Sequence, residues 1–244
     1  MFLHAIRSEL TKLHNTVAAW LTLLFPLSCA VLIFCYLYIS HRLDWNNIAS
    51  FLFGFWLTLW PAVGVAAQVG LAAEYELRSG DWRGLLVRPV KPAYLYGAKL
   101  VVLAGYLLVH SALLSGLALL GGLELHASGV IPWQTLIVVP LTTTIFSLPG
   151  LALSLWLACA NGVGPALGVG GIGLLIGALL GGTSWGDGIW PWIPWAWPLR
   201  MLNQSAHLMS VATVQLVVGL LLVSVLLFGL LTAAGVNWFC QREH

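Results

Sequence analysis

Charge is the scarcest property of this sequence. Only 7% of its 244 residues are Asp, Glu, Lys or Arg, while 60% are hydrophobic; soluble domains carry about 25% charged residues. So few charges cannot cover a water-facing surface, which excludes a soluble globular domain. Ten basic and eight acidic residues leave a net charge of +2. With no basic run among them, no nucleic-acid partner is expected. Four cysteines, Cys29, Cys35, Cys159 and Cys240, are scattered with no CxxC and no Cys/His ligand spacing. Neither a disulfide framework nor a metal site is expected from them. The chain also lacks GxxxxGK[ST] and HExxH, so it has no phosphate-cradling loop and no metalloprotease helix.

Long apolar runs are what the sequence has instead. A membrane span needs about 20 largely apolar residues, and six candidates occur, at 17–39, 51–73, 97–122, 133–160, 163–181 and 211–236. They predict an all-α polytopic membrane protein whose single transmembrane domain covers 1–244. The first run is longer than the roughly 7–15 residues of a signal-peptide core, so it is read as a retained span. Pro140 and Pro149 predict a kink in the fourth span, and Asn161–Gly162 leaves only a tight turn before the fifth.

Six spans put both termini on one side. That side carries Arg7, Lys12, Arg78, Arg83, Arg88, Lys91, Lys99 and Arg242, the other only Arg42 and Arg200. Positive residues collect on the cytoplasmic side, so both termini are expected there. In the fifth span, Gly173, Gly177 and Gly181 repeat a GxxxG spacing, and Gly164 and Gly168 precede them. Such a strip lets a second helix approach closely, from this chain or from a partner.

Residues 1–15 suit an amphipathic helix in the membrane interface, with Leu3, Ile6, Leu10 and Leu13 on one face and Arg7, Glu9 and Lys12 directed elsewhere. The loop 74–96, starting "EYELRSGDWRGLLVRP", concentrates charge around Trp82, Leu85 and Leu86. Gly80, Gly84, Pro89 and Pro92 leave room for a short helical turn only. Apolar anchors ringed by Asp81, Arg83 and Arg88 can dock a soluble partner; the alternative is a solvated loop that obeys the charge rule.

Within the spans, His110 is the one ionisable group at depth, with Gln68 and Thr142, Thr143 and Thr144 as polar residues near it in the spans. An intramembrane ionisable group is a functional candidate, or it stays neutral and bonds a neighbouring carbonyl. Between spans five and six, residues 182–210 include "WPWIPWAWPL", too proline-broken for a span and too apolar for a free loop. They predict a re-entrant or interfacial hairpin. An irregular limb carries Trp185, Trp190, Trp192, Trp195 and Trp197, and a short helix opened by Pro198 presents Leu199, Leu202, Ala206 and Met209. Its tryptophans, with Arg200, serve either as an aromatic belt or as a surface that meets a substrate at the outer leaflet.

The order of an interfacial helix, two spans, then Glu74, Gly80, Asp81–Trp82–Arg83, Leu85–Leu86, Pro89 and Lys99 resembles the permease subunits of ABC-2 type transporters, most of all the lantibiotic-immunity permeases. The resemblance implies that residues around 80–89 form a coupling helix seated on a cytoplasmic ATPase dimer. Glu74 and Lys99 would be its flanking acid and base, and Arg88 and Pro89 would close it. Tyr94 stands where many relatives carry a basic residue. ATP and Mg would be bound by that partner, with no cofactor on this chain. It further implies a second six-span permease, a heterodimer in preference to a homodimer, packed on Gly173, Gly177 and Gly181. The cargo would be an amphipathic antimicrobial peptide expelled from a bacterial plasma membrane, conferring self-protection. The alternatives are an ABC-2 exporter of a drug or lipid, a passive peptide-binding immunity protein, and a membrane-embedded enzyme such as an intramembrane protease. That enzyme would use His110 or Glu74 as base, and no accompanying nucleophile is evident in the sequence.

Overall fold

The computed structural model describes residues 2–14, 16–78, 92–205 and 210–241, with side chains at 76–78 and 92 outside that description. Every regular element among the described residues is helical. Helix α1, Phe2–His14, precedes α2, Val17–Ile39. Asp44 caps the next helix by accepting from Asn47 N at 2.9 Å. That helix, α3, runs on as Trp45–Asn47, a π-helical Ile48–Phe53, Gly54–Leu59, a second π-helical segment Trp60–Gly64, and Val65–Arg78. Then come α4, Pro92–Glu124, and α5, Trp133–Asn161. Helix α6, Val163–Ile176, ends in a π-helical turn, Gly177–Gly181. Three single 3-10 turns lead to α7, Trp197–Ser205, and then α8, Val211–Gln241.

Helices α2, α3, α4, α5, α6 and α8 are each long and apolar enough to cross a bilayer. Both termini therefore lie at one end of the bundle, here the terminal face, and the 3-10 turns lie at the other, the hairpin face. The second span starts at Trp45, six positions before the predicted 51, because Asp44 provides a cap and the π segments keep the chain helical. Gly162 makes the one-residue turn from α5 to α6 at φ +86°, a conformation that only glycine adopts without strain.

Helix α5 is the central post, packed against α3, α4, α6, α7 and α8. Its interior prolines remove backbone donors. Pro149 frees the Ile145 carbonyl, and Ser224 of α8 donates to that oxygen at 2.7 Å. The main core gathers Phe53, Trp56 and Trp60 of α3 with Leu103, Leu107 and Leu114 of α4 and Leu151 and Leu155 of α5. A second cluster joins Phe146 of α5 and Val217 and Leu220 of α8 to Trp190, Trp197 and Met201. Leucines on α2, α6 and α8 are exposed on the outside of the bundle, which costs nothing in hydration where lipid or a neighbouring span surrounds them.

Candidate functional site

The connection between α6 and α8 folds back into the bundle. Trp195 lies along α6, where a Cβ built on Gly173 would stand 2.5 Å from its indole nitrogen and one on Gly177 would stand 2.7 Å from its carbonyl oxygen. A Cβ on Gly181 would meet the Ala196 carbonyl oxygen at 3.1 Å. The glycine strip is thus occupied by the chain's own re-entrant limb. This corrects the expectation that Gly173, Gly177 and Gly181 form a dimer surface: their hydrogen-only face is needed to admit a backbone that approaches within van der Waals contact. Gly164, Gly168 and Gly171 have open space beside them instead.

The limb sorts its tryptophans into different environments. Trp190 and Trp197 are buried in the second cluster, and Trp197 donates its indole N–H to the Pro191 carbonyl at 3.0 Å. Trp195 is half-buried on the strip. Trp185 and Trp192 are 79% and 85% exposed at the hairpin face. Helix α7 buries Trp197, Met201 and Ser205 at helical spacing on the second cluster, while Leu199 and Leu202 rest on the main core. The predicted single apolar face is therefore two faces, held between two clusters; Ala206 and Met209 lie outside the described residues.

Arg200 is already fully engaged in holding this arrangement. Its guanidinium donates to the Leu180 carbonyl from Nε at 3.3 Å and from Nη2 at 3.2 Å, and to the Thr183 carbonyl at 2.7 Å. It pairs with Asp187 at 2.8 Å and lies 5.9 Å from the centre of the Trp190 ring. A cation on the last carbonyls of α6 complements the helix dipole as well as the unpaired oxygens. Arg200 is a staple between the two limbs and not a group held out for cargo.

Deeper in the bundle, His110 accepts a hydrogen bond at Nε2 from Trp56 Nε1, 2.8 Å away. An indole N–H only donates, so Nε2 carries no proton, and the imidazole is neutral with its proton on Nδ1. Trp60 stacks on the ring at 3.6 Å between centroids and 8° between planes, and Phe25 lies 5.9 Å away. Pro26 removes the helical donor of the Thr22 carbonyl, and the Nδ1 of His110 is buried without a hydrogen bond of good geometry. Gln68 donates to the Thr22 hydroxyl at 2.8 Å. No hydrogen bond joins His110 to Gln68 or Thr143, and Thr144 bonds Ser111 instead.

At the terminal face, Lys99 of α4 meets Glu9 of α1, Nζ to Oε2, at 2.8 Å, and Lys12 reaches the other carboxylate oxygen at 2.5 Å. Glu9 and Lys99 are 2% and 4% exposed. Burial raises the Glu9 carboxyl pKa, but the Lys99 and Lys12 ammonium groups outweigh it and hold the group below its usual range. The face of α1 turned inward is Ala5, Glu9 and Leu13, whereas Leu3 and Leu10 are exposed. Glu9 was expected to point elsewhere; a charged residue is hidden here because a second charge on α4 compensates it. Glu74 is half-buried near the end of α3. Asp81, Trp82, Arg83, Leu85, Leu86, Arg88 and Pro89 lie outside the described residues.

Six helices long and apolar enough to cross a bilayer, with a hairpin folded back between the last two, define a multi-pass membrane protein. A family model described as ABC-2 family transporter protein matches residues 5–176, most of the chain, and the chain belongs to that family. It is thus the membrane component of an ABC transporter, whose ATPase is a partner subunit. No curated protein and no solved structure matches it. The matched region ends in α6, so the hairpin and α8 lie beyond it.

Proposed function

We propose that the chain is the permease subunit of a bacterial exporter that expels an amphipathic, lantibiotic-type peptide from the membrane and so protects the cell. The observation that carries this reading is the pair Trp185 and Trp192, exposed on a hairpin whose other tryptophans are tied down. An indole offers an apolar body and one N–H donor, which suits a partner that is itself half apolar and half polar at the interface. The charge distribution supports cytoplasmic termini, with eight of the ten Lys and Arg residues on the terminal side. In that orientation the stretch between Glu74, near the end of α3, and Lys99, in the first turns of α4, meets the ATPase, with Trp82, Leu85 and Leu86 as anchors and Asp81, Arg83, Arg88 and Pro89 around them. ATP and Mg are bound there, on the partner. A second, different permease completes the transport unit. With Gly173, Gly177 and Gly181 covered, its contact falls on the open side of α6 and on α2.

The test is protection of cells that express the permease with its ATPase. Alanine at Trp185 and Trp192 is expected to sensitise cells to the peptide without lowering the amount of permease in the membrane. Unchanged protection at equal expression would reduce the hairpin to a membrane anchor. In parallel, Trp82→Glu is expected to abolish co-purification of the ATPase; an intact complex would remove the coupling assignment.

A further inference from the structure

Beneath the re-entrant limb, midway through the bundle, lies a cavity of about 170 Å³. Pro61 of α3, Pro149 and Gly150 of α5, Leu227 of α8, and Trp195 and Pro198 of the hairpin wall it. No charged side chain lines it. The hydroxyl of Ser147 in its wall already donates to the Thr143 carbonyl at 2.8 Å. A cavity without polar partners does not hold water; one of about 150 Å³ with apolar walls stays dry and accepts benzene. The occupant that fits here is hydrocarbon, on the order of six carbons by the same comparison.

Depth identifies which hydrocarbon. Trp195 sits at Gly173, eight residues before Gly181, which at 1.5 Å per residue is about 12 Å below the hairpin end of α6. A bilayer core is about 30 Å thick, so this level is close to its centre, where lipid acyl chains end. The wall is continuous with the lipid-facing side of α8: Leu227 lines the cavity while Leu226 and Leu230 beside it are 66% and 68% exposed. The rings of Pro61, Pro149, Pro194 and Pro198 give part of the wall a shape that no rotamer change alters, and Leu153, Leu227 and Leu231 complete its apolar lining.

We propose that this cavity is a binding site for the terminal segment of a membrane lipid's acyl chain, with Trp195 as the wall that the hairpin contributes. The site lies within one subunit and its assignment is independent of what the transporter exports. Wild-type protein in nanodiscs would be irradiated with phosphatidylcholine carrying a diazirine either at the chain terminus or beside the ester, and adducts mapped by mass spectrometry. The chain-end probe is expected to label Leu153, Trp195 and Leu227, and the ester-side probe to leave them unlabelled. Gly150→Phe, and separately Leu153→Trp, should fill the cavity and remove its adducts while labelling of Leu226 and Leu230 persists. Adducts confined to Leu226 and Leu230 in the wild type would overturn the proposal, as would equal labelling of the cavity by both probes. Cavity adducts undiminished in a filled variant that remains monodisperse would overturn it too.

Discussion

The carboxylate of Glu9 and the ammonium of Lys99, 90 positions apart in the chain, meet at 2.8 Å in a site nearly closed to solvent. This pair fastens helix α1 to the start of α4, where the chain returns from the loop proposed to meet the ATPase. A charge hidden in such a place is tolerable only because its partner is hidden with it.

Removing one member should therefore be worse than removing both. Glu9→Ala takes from the buried Lys99 ammonium its carboxylate contact at 2.8 Å, and Lys99→Ala takes from Glu9 one of its two ammonium contacts. Glu9→Ala is expected to cost up to about 3–5 kcal/mol and Lys99→Ala less, because Lys12 still holds the carboxylate, whereas Glu9→Leu with Lys99→Met should recover much of the loss. Thermal unfolding of the detergent-purified protein in a double-mutant cycle checks the coupling; additive losses would show that the two charges act independently.

The same pair sets an acid limit. Because the folded-state pKa of Glu9 is depressed, its contribution is fully present above the unfolded value of about 4.3 and is lost as pH falls through the lower folded value. Stability should therefore drop in acid, below the ordinary carboxylate range, and Glu9→Gln should flatten that part of the profile. Unfolding temperature measured across pH 3 to 6 on both proteins, a range set to span about 4.3, gives the comparison.

Arg200 should be irreplaceable by lysine. An ammonium cannot span the Leu180 and Thr183 carbonyls and Asp187 as a planar fork does. Arg200→Lys is expected to loosen the hairpin and speed its proteolysis. Asp187→Asn, at a carboxylate 64% exposed, should have an effect of about 1 kcal/mol or less.

Two glycines of α6 should respond oppositely to one added methyl. Gly177→Ala sets a carbon 2.7 Å from a backbone oxygen that has nowhere to move, and about 1–3 kcal/mol of destabilisation is expected. Gly168→Ala enters open space and should be neutral, or stabilising by up to about 1 kcal/mol through helix propensity. Unfolding curves of the two variants distinguish them; a neutral Gly177→Ala would mean that the limb does not rest on the strip.

The class of this protein was legible in sequence because hydropathy is a local property. Six runs without enough charge to face water can only be spans, and proline among tryptophans can only interrupt them. The inward faces of those spans were not legible. In a bilayer the buried side and the lipid side of a helix are both apolar, so periodicity loses the contrast that reveals a core in water. Hence Gly173, Gly177 and Gly181 could be recognised as a contact strip while their partner, Trp195, could not. Tertiary structure alone decided that Glu9 turns inward, that Arg200 is a staple, and that Trp190 and Trp197 are buried while Trp185 and Trp192 are not. Each of these depends on a partner from a distant segment, a carbonyl, a carboxylate or a bare glycine face, and such pairing leaves no trace in local sequence.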